Sequence, residues 1–418
     1  MTQFRKHIKD PLYRNALFLI ASSVVATGLG FFFWTVVARL YTETDVGFGA
    51  AIISAMSLLA VLSRLGFGFT IIRFLPKAKA PEEMINSCFT LSGLVSLALA
   101  VIFIIGLDFW SPALIFIKNN LIFATAFAVF VLVYALQGLM AEVFVAKRRA
   151  EFNLSMNTIF SLLKIPLPFV LVSFFYTFGI VSSWGIASAV AFTVSALWFV
   201  PRILAGYKPL PKLNWGILKE FWRYSAGNYI ASVLQLAPPL VLPLLIVNLL
   251  GPAQNAYFYV GWRIAGLLFI IPVAVSQSLL AEGSHFEDRL HVDVGRSIKF
   301  TFLILIPAII LVCLLGKWLL LLFGESYSTN ALLMLWVLGA SGVFVGFISI
   351  YQSILRVEGR IRELVYLSVF TAAAVLTGSY FVAPSFGIVG VAYVWLGVQG
   401  VVSLYVIQAM RSRLRPQG

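Results

Sequence analysis

Long apolar stretches recur along the whole chain, separated by short polar and basic segments. They fall near residues 16–38, 47–65, 84–107, 120–143, 154–176, 180–200, 225–249, 255–279, 298–320, 331–354, 364–383 and 387–409. Each is long enough to cross the ~30 Å hydrocarbon core as an α-helix rising 1.5 Å per residue. The pattern therefore predicts an all-α integral membrane protein of about twelve transmembrane helices. An even number of spans puts both termini on one side.

Composition agrees. With 61% apolar and 11% charged residues and a mean hydropathy of +0.97, the chain cannot close over a soluble core. A net charge of +14 would suggest nucleic acid in a soluble protein, so where the charges lie matters. Twenty-five of the 30 basic residues fall in one alternate set of segments, among them Lys147, Arg148, Arg149, Arg356, Arg360 and Arg362, against Arg39, Lys118 and Lys317 in the other. That asymmetry places both termini in the cytoplasm of an inner or plasma membrane protein. It also removes the need for a nucleic-acid partner, leaving membrane lipids as the medium.

The basic start and first apolar run lack a small-x-small cleavage site, so they read as a retained helix rather than a signal peptide. Cys88 and Cys313 both lie within spans, implying neither a disulfide framework nor a metal site, and no cofactor is expected. Trp110, Trp184 and Trp318 at outer ends, with Trp198, Trp215 and Trp222 at inner ones, suggest an anchoring aromatic belt.

The two halves carry weak self-similarity at an offset of about 210. VVARLYTETDVGFGAA (36–51) overlays IVNLLGPAQNAYFYVG (246–261), and KRRAEFN (147–153) overlays EGRIREL (358–364). This predicts a six-helix lobe over 1–200, a cytoplasmic linker over 201–224 and a second six-helix lobe over 225–418. In the linker, Trp215, Leu218, Phe221 and Trp222 share one face, as in a short interfacial helix. The overlay also sets Gly28 and Gly30 of helix 1 opposite Pro238, Pro239 and Pro243 of helix 7. Paired helix breaks of this kind often flank a substrate path, although Gly and Pro also serve packing in membrane helices.

Two ionisable residues lie deep in the spans. Lys164 is ten residues into helix 5, about 15 Å from its cytoplasmic end, and Arg263 eight residues past the outer turn at Asn255, about 12 Å deep. Both are expected to face a watery interior, with an internal ion pair or snorkelling as the alternative. No histidine is deep, and of the acids only Glu142 and Glu282 approach a span. Two cations without a deep anion favour an anionic group such as a phosphate. Three classes remain: a transporter with a cationic cavity, a membrane enzyme of lipid-linked sugar metabolism, and a scaffold. The outer turns offer an enzyme only Glu43, Asp45, Asp108 and Glu325, and no nucleotide motif appears.

The segments ARLYTETDVGFGAAI, RLGFGFTIIRFLPKA and GPAQNAYFYVGWRIAGLLFIIPVAVSQSLLAEGS resemble the polysaccharide transport branch of the multidrug/oligosaccharidyl-lipid/polysaccharide (MOP) exporter superfamily, which includes the Wzx-type flippases. The resemblance implies two six-helix lobes around a central cavity that opens alternately to each side. Its implied cargo is an oligosaccharide on a polyprenyl pyrophosphate, with other polysaccharide-assembly proteins as partners. Arg263 and Lys164 would then meet the pyrophosphate, with Arg39 and Arg64 near the cavity mouths. An ion-coupled multidrug antiporter of the same superfamily is the alternative, although the acid usual in its first lobe is missing.

Overall fold

The computed structural model describes residues 11–283 and 290–413. All the regular structure within them is helical: α1 (Pro11–Leu40), α2 (Glu43–Ser63), the short α3 (Phe67–Phe74), α4 (Pro81–Ile105), α5 (Leu121–Ala146), α6 (Ala150–Lys164), α7 (Leu167–Val194), α8 (Trp215–Leu249), α9 (Pro252–Gly283), α10 (Leu290–Leu321), α11 (Glu325–Val357) and α12 (Ile361–Arg413). Basic residues 5, 6, 9, 289 and 415 and histidines 7 and 285 lie outside the described residues.

Eleven of the described helical segments are long and apolar enough to cross a membrane. The last, Ile361–Ser412, has 52 residues, or about 78 Å of helix against a core of about 30 Å. It is reversed at Gly387, whose φ of 59° and ψ of −154° are not helical. It therefore crosses twice, and the chain is an all-α membrane protein with about twelve spans.

The helix ends follow from local chemistry. The Thr42 hydroxyl caps α2 by accepting the Asp45 N–H at 3.2 Å, and Asp45 in turn accepts the Thr177 hydroxyl. Asn120 caps α5 through the N–H groups of Ile122 and Phe123. Pro81 opens α4 with Glu82 and Glu83 in its first turn, which suits the positive end of the helix dipole.

The chain divides into two compact units, Met1–Tyr229 and Ile230–Gly418. In the first, α5 packs on α2, α3, α4 and α7, and α1 lies along α6; in the second, α11 is the hub for α9, α10 and α12. Small residues let these helices approach: Gly47, Gly49, Ala50, Ala51 and Ser54 of α2 are all buried. Residues 204–214 are strapped to the start of α4. Asn86 Nδ2 donates to the Lys208 carbonyl at 2.9 Å, the Asn214 N–H to Ser87 Oγ at 3.1 Å, and Lys212 Nζ pairs with Glu83 at 3.1 Å. From Trp215 the backbone continues as helix directly into α8. The expected interfacial segment is thus the first part of a longer helix, and the side chains of Leu218, Phe221 and Trp222 lie outside the described residues.

Matched turns mark the repeat. After α5, Arg148 takes φ 53° and the Arg149 N–H donates to the Phe144 carbonyl at 2.9 Å; after α11, Gly359 takes φ 66° and the Arg360 N–H donates to the Leu355 carbonyl at 2.8 Å. Both are left-handed C-terminal caps. Tyr176 (φ 42°) and Gly387 (φ 59°) turn the chain into the sixth span of each half, and each pair is 211 residues apart.

The helix breaks expected at Gly28, Gly30, Pro238, Pro239 and Pro243 are not interruptions. Helix runs through Gly28 and Gly30 in α1 and through all three prolines in α8. A proline removes one backbone hydrogen bond, which a long membrane helix tolerates when its neighbours or local adjustment compensate. The described backbone departs from helix elsewhere, at Leu65–Gly66, Tyr176 and Gly387; at Ile165 and Pro166 the helix is interrupted while both residues keep right-handed helical dihedrals.

Candidate functional site

Lys164 is the last residue of α6, in the fifth span two residues before Pro166. The sequence places it at mid-depth facing water; the structure places it, 2% exposed, inside the first unit. Its ammonium lies 4.5 Å from the Phe160 ring centroid, 4.6 Å from that of Trp184 and 5.5 Å from that of Phe33. Ring faces are negative, so three of them replace part of the lost hydration. The rings come from α6, α7 and α1, a convergence that depth along one helix does not reveal. Trp184, read as a belt residue, is 6% exposed and packs edge-on to Phe33, Phe160 and Tyr134. Its indole is a wall of the box rather than an interfacial anchor. Trp198, Trp215 and Trp318 are exposed.

Arg263 belongs to the other unit and behaves differently. It sits eleven residues after Pro252, about 16 Å along α9, and its side chain is exposed. Nη2 donates to Tyr259 Oη at 2.6 Å, and the guanidinium carbon lies 5.0 Å from the centroid of that ring. Tyr259, one turn earlier and 5% exposed, props the guanidinium from beneath. A propped guanidinium retains a planar fork of donors, suited to two oxygens of one phosphate.

Arg39 is exposed in the last turn of α1. Arg64, the C-cap of α2, is half-buried. Its guanidinium fills the space left by Gly138 of α5, close to Tyr134 and Glu142, and its Nε is buried without a hydrogen-bond partner. Glu142 packs against Gly68 of α3. Sequence reasoning missed Gly138, the residue that makes room for Arg64, and Glu363, which accepts from Tyr351 and pairs with Arg360 at 2.7 Å. Outside the spans, burial and the nearby Asp45 push the Tyr41 hydroxyl up to about 12, and it donates to the Pro168 carbonyl at 3.1 Å. Among the described residues no three of His, Cys, Asp and Glu gather as metal ligands.

A profile of the polysaccharide biosynthesis protein family matches residues 36–332. The chain belongs to that family. Solved structures with the same fold include transporters of the MOP superfamily. An inward-facing multidrug resistance MATE family transporter superposes with a TM-score of 0.70 at 15% identity, covering 96% of this chain and 98% of that one. The lipid II flippase MurJ in an inward closed conformation gives 0.71 at 16%, covering 95% and 87%. A MOP superfamily transporter from Pyrococcus furiosus gives 0.66 at 15%, covering 97% and 95%. No curated protein matches by sequence. This polysaccharide biosynthesis family member therefore has the fold of the MOP superfamily, which its segments 38–52 and 251–284 resemble.

Proposed function

We propose that the protein moves a polyprenyl-pyrophosphate-linked oligosaccharide from the inner to the outer leaflet of the cell membrane by alternating access, with both termini in the cytoplasm. Membership of a polysaccharide biosynthesis family on a fold shared with a lipid II flippase carries this reading. A sugar head cannot cross hydrocarbon unaided, and its lipid tail has no reason to leave it. Arg263 is the residue we assign to the pyrophosphate, because it is exposed at mid-span and held by Tyr259. Lys164 is a weaker candidate: it would reach a ligand only in a conformation that opens its aromatic box. Arg39 and Arg64 would serve at the approaches. Directionality needs a further source of free energy, since a ligand shifts populations only by its differential affinity for two states.

The test is flipping of a lipid-linked oligosaccharide in reconstituted liposomes. Arg263→Ala should abolish it and Arg263→Lys leave partial activity, with both variants reaching the membrane at normal levels. Full activity of Arg263→Ala would remove the residue from the site. Failure of the unmodified protein to flip any such lipid, with proton- or sodium-driven efflux of small molecules instead, would favour the antiporter.

A further inference from the structure

The second unit contains a crevice of about 830 Å³ at the start of α12, between the two legs of that helix. Its rim is the turn Gly359–Glu363, and its walls include Tyr366 and Phe370 on the first leg and Val401 and Tyr405 on the second. Phe370 lies nine residues beyond Ile361, about 14 Å along the helix, so the walls run well into the span. All four wall residues are more than half exposed, and they belong to a segment apolar enough to cross a membrane.

The rim is charged but unevenly neutralised. Glu363 is engaged by Arg360, Tyr351 and Tyr405, and Arg360 also lies 3.9 Å from Glu358. Arg362 is exposed, and no acid pairs with it among the described residues. It stands in the first turn of α12, where the helix dipole adds a positive field. An apolar trough entered beneath an uncompensated guanidinium fits a molecule with a negative head and an alkyl tail.

We propose that this crevice binds an anionic phospholipid of the leaflet facing the basic turns, with its phosphate on Arg362 and one acyl chain along Phe370 and Val401. The inference rests on the second unit alone and does not depend on the cargo. A bound lipid would brace the two legs of α12 at the end where the core cluster of Tyr351, Leu355, Leu364 and Val406 is packed.

Native mass spectrometry of the full chain, released from vesicles of mixed phosphatidylglycerol and phosphatidylcholine, tests it. Phosphatidylglycerol should be retained in preference. Arg362→Gln should weaken that retention about fivefold, the effect of one basic side chain at a membrane surface. Val401→Trp, which fills the trough without changing charge, should weaken it as well. Arg296→Gln, at an exposed arginine of the same unit, should leave it unchanged. Equal retention of both lipids, equal loss with Arg362→Gln and Arg296→Gln, or retention undisturbed by Val401→Trp would each overturn the proposal. So would recovery, from cell membranes, of a polyprenyl phosphate in the crevice with no phosphatidylglycerol.

Discussion

Lys164 and Arg263 are both cations set deep in a span, yet they occupy opposite kinds of environment. Lys164 is closed among rings from three helices, Phe33 of α1, Phe160 of α6 and Trp184 of α7. Arg263 leans on one ring of its own helix, Tyr259, and remains exposed. Depth along a helix thus says how costly a charge is, while burial and the rings around it distinguish the two environments. Lys164 is buried among rings of three helices, whereas Arg263 stays exposed above the ring of Tyr259.

Substitution should separate the two most sharply. Lys164→Ala removes the centre of a packed box and should lower stability by about 2–4 kcal/mol through the cavity and the lost ring contacts. Lys164→Met, which restores the volume, should recover most of it. Arg263→Ala should leave the melting temperature in detergent within a degree or two while removing transport. If Lys164→Ala melts like the native protein and loses transport equally, the contrast fails and Lys164 rejoins Arg263 as a ligand-facing residue.

A second contrast lies in the matched turns. Gly387, at φ 59° and ψ −154°, occupies a region nearly restricted to glycine, and a Cβ there would meet nothing within 4 Å. Gly387→Ala should therefore cost about 1–3 kcal/mol through the backbone alone. Its counterpart Tyr176 has φ 42° and ψ −125° with an exposed side chain. Tyr176→Gly should be neutral or raise the melting temperature slightly. Equal losses at both positions would mean that the turns are alike only in backbone outline and that the Tyr176 ring contributes packing.

Much of this architecture is legible in the sequence because the bilayer imposes it. Span length, the basic asymmetry and the repeat near 210 residues are one-dimensional signals, and α2, α9 and α11 appear where apolar length requires them. What does not show is whatever depends on meeting between helices. The box around Lys164 needs Phe33 and Trp184, 131 residues before and 20 after it, and the seat of Arg64 needs the missing side chain of Gly138. The proline and glycine pattern misled for a related reason: backbone breaks depend on whether freed carbonyls find partners, so Pro243 sits in continuous helix while Tyr176 turns the chain.

The smallest effect expected concerns the connections between the third and fourth spans of each half. In the second unit α10 and α11 are joined through Leu322, Phe323 and Gly324, the last at φ 149°. In the first, residues 106–120 form one-turn helices braced by Lys118, which pairs with Asp108 and donates to the Ile105 carbonyl at 3.3 Å. Lys118 holds the Asp108 carboxyl below the usual carboxylate range. A depressed carboxylate contributes stability above its unfolded value near 3.9, and the contribution fades as pH falls through the lower folded value. Both side chains are substantially exposed, so the effect is confined to the connection and screened by salt. At pH 7 and low salt, Lys118→Met should make residues 106–120 modestly more susceptible to protease. The difference from the native chain should shrink below about pH 4. A difference that persists undiminished at pH 3 would assign the bracing to the Ile105 carbonyl instead of the ion pair.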